Sequence, residues 1–158
     1  MDRKGFPETY DLGRLAEFVS DVRAGRTPLR APVYSHLHYD VTGEEIVLDA
    51  ADVVILEGLN VLDVDPDFSI YLDASEDDLF AWFLERFAQL RETAFRDPQS
   101  FFHGFATMPE DEAMTIARDA WTTINLVNLH EHILPTRERA HLVLEKGADH
   151  AIRRVVRR

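Results

Sequence analysis

The stretch Ala51–Leu62, ADVVILEGLNVL, decides the fold class. Val53–Leu56 is a short apolar run rich in β-branched residues, which is typical of a strand buried on both faces of a sheet. The run ends at Glu57 and Gly58, and open α/β sheets place their ligands at the carboxyl ends of strands. The stretch therefore predicts a buried strand that presents a carboxylate to a ligand.

A carboxylate in this position can hold Mg²⁺ beside phosphate groups that are being transferred. The usual companion of such a strand is a glycine-rich loop of the form G-x-x-x-x-G-K-[ST], which cradles the phosphates. That pattern occurs nowhere in the 158 residues. The sequence thus predicts one part of a phosphoryl-transfer site.

Length and composition predict one globular domain over residues 1–158, because 46% of the residues are hydrophobic. The sequence contains no cysteine, which excludes disulfides and thiolate metal sites and favours the reducing cytosol. The first residues are too charged for a signal peptide, and no apolar run approaches the ~20 residues of a membrane span. We expect a soluble, cytoplasmic protein that does not bind membranes.

The formal net charge of −12 argues against a nucleic-acid partner, which would require a concentrated basic surface. The one basic cluster lies at the end of the sequence and consists of Arg153, Arg154, Arg157 and Arg158. These arginines form either a solvated tail or a phosphate-binding group, and the solvated tail is the simpler interpretation.

Strands alternate with helices along the sequence, which implies a mainly parallel sheet with right-handed crossovers. Asp11 is a candidate N-cap, and Ser75 with Asp78 forms a capping box. The predicted helices are Leu12–Ala24, Glu76–Ala94 and one from Pro109 to about Asn125. The predicted strands are Val33–Tyr39, Val53–Leu56, Phe68–Leu72, Leu142–Glu145 and, as a strand or helix, Ile152–Val156.

Three patterns that contain histidine are candidate ligand sites. Tyr34 and His36 lie two apart on one face of a predicted strand, so both side chains can reach one ligand. His36, His38 and Asp40 form an H-x-H-x-D pattern that is a weak indication of a metal site. The other pair, His130 and His132, is predicted to lie on the surface, since side chains two apart on a helix diverge.

Arg86 interrupts an aromatic helix between Phe83 and Phe87. It is either an arginine that extends from a packed helix to solvent or a bidentate phosphate ligand. The neighbouring aromatic residues form either plain core or the wall of a site; they are Trp82, Phe83, Phe87, Phe95, Phe101 and Phe102. Asn125, in the sequence T-I-N-L, is a candidate binding residue or simply a residue near a helix end.

Several segments together resemble bacterial type I pantothenate kinase. They are KGFPETYD (4–11), PVYSHLHYD (32–40), VVILEGLNVL (53–62), DFSIYLDA (67–74), RFAQLRETAFRDPQSFFHGFA (86–106), INLVNLHEHILPTRERA (124–140) and ADHAIRRVVRR (148–158). The resemblance covers essentially the whole sequence in the right order, and it matches the later half of that family. The motifs PVYSHL, ILEGLNVL and ILPTRERA are specific to it.

The resemblance implies the fold and chemistry of the P-loop kinases related to uridine kinase and phosphoribulokinase. The implied fold is an incomplete α/β sheet with flanking helices that lacks the N-terminal phosphate-loop portion. The implied reaction is transfer of the γ-phosphoryl group of ATP, with Mg²⁺, to the terminal hydroxyl of pantothenate in the first step of coenzyme A synthesis. Coenzyme A is the implied feedback inhibitor.

The resemblance also implies the site residues. Arg86 matches the arginine at the transferring phosphate, Glu57 the acidic residue near Mg²⁺, and His150 a histidine packed against adenine. The matched substrate residues are Tyr34, His36, Asn125, Phe87, Phe95 and Phe102. Phe83 stands where the family commonly has a tyrosine that contacts substrate, and the link from Leu62 to Asp67 is shorter than the family's.

In the family, the phosphate loop, its lysine and the catalytic aspartate precede KGFPE, and the 158 residues contain none of them. We therefore expect a chain that is inactive alone and open at a sheet edge. Three interpretations follow. The chain is a split, truncated or mis-started kinase that needs a complementing N-terminal half, a non-catalytic module for pantothenate or coenzyme A, or a decayed relic. A homodimer is a further expectation.

Overall fold

A computed structural model describes residues 3–158 of the chain. The helices are α1 (Leu12–Arg23), α2 (Glu76–Glu92), α3 (His103–Thr107), α4 (Glu110–Ala120) and α5 (Leu126–Asn128). The strands are β1 (Leu29–Ser35), β2 (Asp40–Leu48), β3 (Ile70–Asp73), β4 (Leu142–Lys146) and β5 (Ile152–Arg157). Short 3₁₀ turns lie at Pro7–Thr9, Val61–Val64, Ala94–Arg96 and Leu134–Arg139.

The strands form two separate sheets. β1 and β2 form an antiparallel hairpin, while the order β3-β4-β5 gives a second sheet in which β3 runs parallel to β4 and β4 antiparallel to β5. The α/β class with flanking helices is confirmed. Parallel pairing is limited to the β3–β4 pair within residues 3–158, so the parallel share is smaller than the alternation of elements suggests.

The predicted buried strand Val53–Leu56 is wrong. These residues adopt no regular structure, and the side chains of Val53 and Ile55 are 76% and 86% exposed. A strand buried on both faces requires neighbouring strands and covering helices. None of the strands in the described part of the chain pairs with this segment, so its apolar side chains remain in solvent.

The predicted strand Val33–Tyr39 is correct only in its first half. β1 ends at Ser35, residues 36–39 form a turn, and the chain returns as β2, which the sequence analysis missed. The turn requires a positive φ of 57° at Tyr39, a residue type that rarely signals such a turn. Because β2 is largely exposed, it lacks the apolar alternation by which a half-buried strand is found.

The predicted helices are confirmed together with their caps. The Asp11 side chain accepts a hydrogen bond from the Arg14 amide at 2.9 Å, and Ser75 Oγ accepts one from the Asp78 amide at 3.1 Å. The helix that starts at α4 continues beyond Asn125, because π-helical turns at Trp121–Asn125 and Leu129–Ile133 flank α5. π turns inserted into an α-helix occur frequently at functional sites.

One face of the β3-β4-β5 sheet carries the core. Tyr71, Val143 and Ala140 are buried there, and Leu62, Ile133 and Val156 pack against them. The opposite face is open, since Ile70, Leu72 and Val155 are 47%, 62% and 60% exposed. Among residues 3–158, no helix is long and apolar enough to cross a membrane.

The C-terminal arginines lie on and after a strand rather than in a tail. Arg153, Arg154 and Arg157 belong to β5, and Arg158 follows it. Three of the four are paired with carboxylates: Arg153 with Asp149, Arg154 with Glu145 and Arg158 with Glu138. In these three ion pairs, a carboxylate already binds the guanidinium group that a phosphate would contact.

Candidate functional site

Seven aromatic side chains form one continuous group, which we call the aromatic cluster. It joins the β1–β2 hairpin to the segment after α2 and consists of Tyr34, Tyr39, Phe87, Phe95, Phe101, Phe102 and Phe105. The hairpin is also fixed by a hydrogen bond from the Phe101 amide to the Leu37 carbonyl at 2.9 Å. The structure therefore brings together four predicted substrate residues that are far apart in sequence, namely Tyr34, Phe87, Phe95 and Phe102.

Tyr39 lies at the centre of the aromatic cluster, and the sequence analysis did not select it. Its ring centroid is 4.7 Å from that of Phe102, 5.3 Å from that of Phe101 and 6.4 Å from that of Tyr34. Burial, followed by the nearby Tyr34 and Tyr10, raises the pKa of the Tyr39 hydroxyl above its ordinary value. The hydroxyl therefore stays protonated and can act as a hydrogen-bond donor at neutral pH.

His36 joins this group from the turn after β1, because its ring packs edge-on against Tyr34 at 5.2 Å. The predicted proximity of Tyr34 and His36 is correct, although His36 lies outside the strand. Within residues 3–158, no three His, Cys, Asp or Glu side chains are grouped so that they can hold a metal ion. The structure therefore gives the H-x-H-x-D hypothesis no support.

Lys4 is a second residue that the sequence analysis did not select. Its ammonium group lies 5.0 Å and 4.7 Å from the ring centroids of Tyr34 and Tyr39. It also donates a hydrogen bond to the Tyr39 carbonyl at 2.7 Å. A cation over an aromatic face is attracted by the ring quadrupole, so Lys4 holds the two tyrosines of the hairpin together.

The two arginines of α2 have different environments. Arg86 is exposed and lies next to Phe87 of the aromatic cluster, and no ion pair to it is found among residues 3–158. Arg91 is only 8% exposed and donates to the carbonyls of Phe105 and Met108 at 2.8 Å and 3.0 Å. Arg86 is thus available to an anionic ligand, whereas Arg91 satisfies carbonyls at the end of α3.

A cavity of about 430 Å³ lies beside the first turns of α2, which contribute Glu76 and Leu79 to its lining. Most of its lining is apolar and includes Leu59, Leu79, Trp121, Leu129 and Ile133; the amides of Asn125 and Asn128 also line it. A largely apolar pocket with a few polar groups is the usual form of a small-molecule site. The structure therefore places the predicted residue Asn125 at a cavity rather than at a simple helix end.

Phe83 lies near this cavity, and among residues 3–158 no ring contact joins it to the aromatic cluster, although it shares a face of α2 with Phe87. Its ring centroid is 5.5 Å from that of Trp121, which lines the cavity, and Trp121 also contacts Phe80 at 5.6 Å. The predicted aromatic string therefore divides into three parts. Phe87, Phe95, Phe101 and Phe102 belong to the aromatic cluster around Tyr39, Phe83 packs against Trp121, and Trp82 packs against His150.

His150 stacks on Trp82, with ring centroids 4.2 Å apart. The indole Nε1 of Trp82 donates to the Ala148 carbonyl at 3.0 Å, and Lys146 Nζ lies 4.9 Å from the indole ring. His150 has a φ of +63° in the turn before β5. The predicted residue His150 is thus held beside α2, one turn away from Arg86.

His130 and His132 differ in exposure, so the prediction of two surface histidines is only half correct. His130 is exposed and pairs with Glu76 at 2.7 Å. His132 is partly buried against Phe6, at a ring-centroid distance of 5.5 Å, and its buried Nε2 has no hydrogen-bond partner. Its nearest carboxylate oxygen, on Glu131, is 3.8 Å away, which is too far for a hydrogen bond.

Glu57 stands apart from the groups described above. It is exposed at the end of the irregular segment that contains Val53 and Ile55, and no hydrogen bond or ion pair to it is found among residues 3–158. Gly58 follows with a φ of +153°, a conformation that favours glycine, and an added Cβ would meet Val61 at 3.3 Å. A free carboxylate suits one ligand position of Mg²⁺, which commonly takes one or two protein carboxylates together with phosphate oxygens and water.

Comparison with known families identifies the relationship of the chain. The family model described as "PRK: Phosphoribulokinase / Uridine kinase family" matches residues 5–96, which include the aromatic cluster up to Phe95 and the whole of α2. The chain belongs to the phosphoribulokinase / uridine kinase family. Membership in this family agrees with the mixed α/β architecture and with the predicted relationship to P-loop kinases.

Relatives within this family are named pantothenate kinases. The protein of that name from Chelativorans sp. (strain BNC1) is 51% identical over 174 aligned residues, which cover 100% of this chain and 54% of the relative. Those from Rhizobium etli (strain CIAT 652) and Brucella ovis (strain ATCC 25840 / 63/290 / NCTC 10512) are 49% identical and cover 100% of this chain, with 53% and 54% of their own lengths matched. The predicted resemblance to pantothenate kinase is confirmed.

The chain spans about half the length of the curated relatives it matches. The alignments extend over 174 positions for a chain of 158 residues, so the relatives carry additional residues inside the matched region. The short link between Leu62 and Asp67 is consistent with this difference. The 3₁₀ turn Val61–Val64 leads into this link, which has a φ of 52° at Asp65.

Proposed function

We propose that this chain provides the pantothenate-binding part of a pantothenate kinase, which transfers the γ-phosphoryl group of ATP to pantothenate. The observation that carries the proposal is identity of about 50% to pantothenate kinases over the whole chain. The grouping of Tyr34, His36, Phe87, Phe95 and Phe102 supports it.

The aromatic cluster and the cavity both border α2, and each combines apolar surface with polar groups, as pantothenate itself does. Pantothenate is a small carboxylic acid with an amide, hydroxyl groups and an apolar gem-dimethyl unit. The aromatic cluster offers apolar faces with the hydroxyls of Tyr34 and Tyr39, while the cavity offers an apolar wall with the amide of Asn125. These surfaces would bind and orient pantothenate so that a hydroxyl group is directed to the phosphoryl donor.

Arg86 is assigned to the transferring phosphate. It is exposed, unpaired among the described residues and located on α2 between the aromatic cluster and the Trp82–His150 stack. A guanidinium can bind two oxygens of a phosphoryl group at once and stabilise the charge that spreads over them during transfer. We expect His150 to stack on the adenine of the nucleotide.

Glu57 is assigned to Mg²⁺, which would neutralise charge on the ATP phosphates. A single free carboxylate fits this role, because the remaining ligands would be phosphate oxygens and water. The described residues contain no loop with the Walker lysine, so the phosphate cradle of the active kinase would have to come from polypeptide other than these 158 residues. Coenzyme A is the proposed feedback inhibitor at the pantothenate-binding surfaces.

A second candidate function is binding of pantothenate or coenzyme A without catalysis. It uses the same aromatic cluster and cavity, and it is favoured only by the lack of a phosphate-loop pattern in the 158 residues. The relatives' name does not support it over the kinase. The two candidates differ in whether Arg86 and Glu57 have a role.

Calorimetric titration of the 158-residue polypeptide with pantothenate, coenzyme A and ATP separately tests the proposal. We expect pantothenate and coenzyme A to bind and ATP to bind more weakly, since its phosphates have few partners here. Arg86→Ala should weaken binding of a phosphorylated ligand. The matched control is Arg96→Ala, which removes another exposed arginine of the same region that pairs only with Glu92. Tighter binding of ATP than of coenzyme A would contradict the proposal.

A further inference from the structure

The backbone carbonyl of Gly5 accepts hydrogen bonds from two buried side-chain amides. Asn60 Nδ2 donates at 3.1 Å and Asn128 Nδ2 donates at 3.0 Å. The two asparagines are only 2% and 5% exposed. Buried polar side chains are uncommon unless they are hydrogen-bonded, and here two of them share one carbonyl. We call this group of Gly5, Asn60 and Asn128 the junction.

Gly5 is suited to this junction by its backbone conformation. Its φ of +101° is rarely adopted by residues with a side chain. An added Cβ would meet Asn128 Nδ2 and Leu59 Cδ1 at 3.7 Å each, which is ordinary contact. The glycine is therefore required by its backbone angle, which directs its carbonyl to both asparagines, and not by lack of space.

The junction connects three separate segments of the candidate site. Asn60 follows the segment that ends at Glu57, while Asn128 lies one turn after Asn125 on the helix that lines the cavity. Gly5 follows Lys4, whose ammonium group holds the Tyr34 and Tyr39 rings. The hydrogen bonds on the Gly5 carbonyl span 55 and 123 positions of sequence, so neither arises from local folding.

Phe6 fixes the other side of the junction. It is 1% exposed and packs edge-on against His132, one helical turn after Asn128. The Gly5–Phe6 segment is thus held against one helix at two points, Asn128 and His132, and the side chain of the preceding residue, Lys4, extends to the hairpin. A shift of the Gly5 carbonyl would therefore move the point from which Lys4 reaches Tyr39.

We infer that Asn60 and Asn128 are positioning residues that clamp Gly5 and so place Lys4 against the Tyr34–Tyr39 pair of the ligand site. Among residues 3–158, neither asparagine side chain forms a hydrogen bond with the aromatic cluster; both donate to the Gly5 carbonyl. They act through Lys4, which links the segment of Asn60 and the helix of Asn128 to the hairpin. The identity of the ligand at the hairpin, pantothenate, rests on the proposed function; the clamp on Gly5 does not.

The chain has only two lysines, Lys4 and Lys146, which gives a direct test of the clamp. Reductive ¹³C-methylation keeps the lysine charge and yields one resolved methyl signal from each lysine in a two-dimensional NMR spectrum. We expect the Lys4 signal to be shifted upfield by the tyrosine rings, and Lys4→Arg assigns it. In Asn128→Leu and Asn60→Leu, the Lys4 signal should move toward the value of a free lysine.

Lys146 serves as an internal control, because it lies over Trp82 and has no contact with the junction. Its signal should stay in place in both asparagine variants. Thr136→Val is a matched control for loss of a buried hydrogen bond, since Thr136 Oγ1 donates to the Ile133 carbonyl at 2.8 Å near the same helix. Its effect on unfolding should be comparable, while the Lys4 signal should stay unchanged.

A binding measurement tests the link to the ligand site. Asn128→Leu and Lys4→Met should each weaken pantothenate binding about tenfold, and the double variant should be no weaker than the single ones. Non-additivity of this kind is expected only if Asn128 acts through Lys4. Additive losses, or an unshifted Lys4 signal in both asparagine variants, would overturn the inference. If the unmodified chain binds no pantothenate, the proposed function fails, and the lysine spectrum alone still decides whether the clamp exists.

Discussion

The guanidinium of Arg91 is bound to the backbone carbonyl of Phe105, with Nε 2.8 Å from the oxygen. A second bond of 3.0 Å from the same guanidinium reaches the Met108 carbonyl. The bonds tie α2 to the end of α3, and therefore tie Phe87 to Phe105 within the aromatic cluster. Arg91 is buried without a carboxylate partner among residues 3–158, so its charge is balanced by carbonyl dipoles alone.

Arg91→Met should lower the free energy of unfolding by about 2–4 kcal/mol, because it leaves two charge-assisted hydrogen bonds unmade and two helix-terminal carbonyls without a donor. The measurement is chemical denaturation followed by circular dichroism. Arg86→Met, on the exposed face of the same helix, is the control and should change stability by less than about 0.5 kcal/mol. Equal effects of the two substitutions would show that Arg91 does not hold α3.

The pKa of Tyr39 is raised by burial, and the pKa of Tyr71 is raised by burial and by the adjacent Asp73. Both hydroxyls should therefore ionise later than those of the unfolded chain when absorbance is followed in alkali. Because the folded pKa exceeds the unfolded one, the stabilisation is complete below a pH of about 10 and is lost as the pH rises through the folded value.

Tyr39→Phe should remove part of this late ionisation and weaken the alkaline loss of stability, while Tyr71 retains its share. Spectrophotometric titration at the tyrosinate band and denaturation at two alkaline pH values measure the two effects. A late phase of unchanged size in Tyr39→Phe would contradict the buried position of this hydroxyl.

The 158-residue polypeptide alone is expected to show no pantothenate-dependent release of ADP above background. Phosphoryl transfer depends on a held phosphate chain, and losing even one preorganised charge-stabilising donor costs about 10²–10³ in rate. A coupled assay measures this. Activity of the lone polypeptide that depends on pantothenate and disappears in Arg86→Ala would refute the prediction.

Addition of a polypeptide equivalent to the unmatched part of the Chelativorans relative should restore pantothenate-dependent release of ADP. It should also raise the melting temperature of the chain, because a partner that binds the folded state and not the unfolded state stabilises the folded state. Arg86→Ala and Glu57→Gln should each prevent the restored activity, whereas Arg96→Ala should leave it intact. No change in activity or melting temperature on mixing would contradict the split-kinase interpretation.

The open face of the β3-β4-β5 sheet should cause self-association. Ile70, Leu72 and Val155 are exposed on this face, and exposed apolar patches and free strand edges promote association. We expect the sedimentation coefficient to rise with concentration, and Leu72→Glu to suppress the rise. Val41→Glu, at a position 56% exposed on the separate hairpin, is the matched control and should have no such effect.

Elements whose signals are local could be predicted from the sequence. The N-caps Asp11 and Ser75, the long helix α2 and the strands β3, β4 and β5 depend on nearby residues, and they were found within a few positions. Val53–Leu56 could not be predicted correctly, because its state depends on whether a distant strand lies beside it. β2 escaped detection since its exposed residues have no apolar alternation.

Prediction of the site was limited in the same way. The resemblance to pantothenate kinase named Tyr34, His36, Phe87 and Asn125, and the structure places each at the aromatic cluster or the cavity. Tyr39 and Lys4 were missed, because their roles arise from a positive φ and from contacts across 35 positions of sequence. Their placement within the quoted motifs PVYSHLHYD and KGFPETYD was the only available signal.

The π-helical turns at Trp121–Asn125 and Leu129–Ile133 have a consequence for how this helix can vary. Each π turn holds one residue more than an α-helical turn, and one residue corresponds to a rotation of about 100° around the helix axis. Deletion of a single residue in either turn would convert it to regular helix and rotate everything that follows, including the contact of Asn128 or His132 with the Gly5–Phe6 segment. In this helix, the number of residues determines the face on which later side chains lie. Insertions and deletions should therefore be more damaging than substitutions at the same positions.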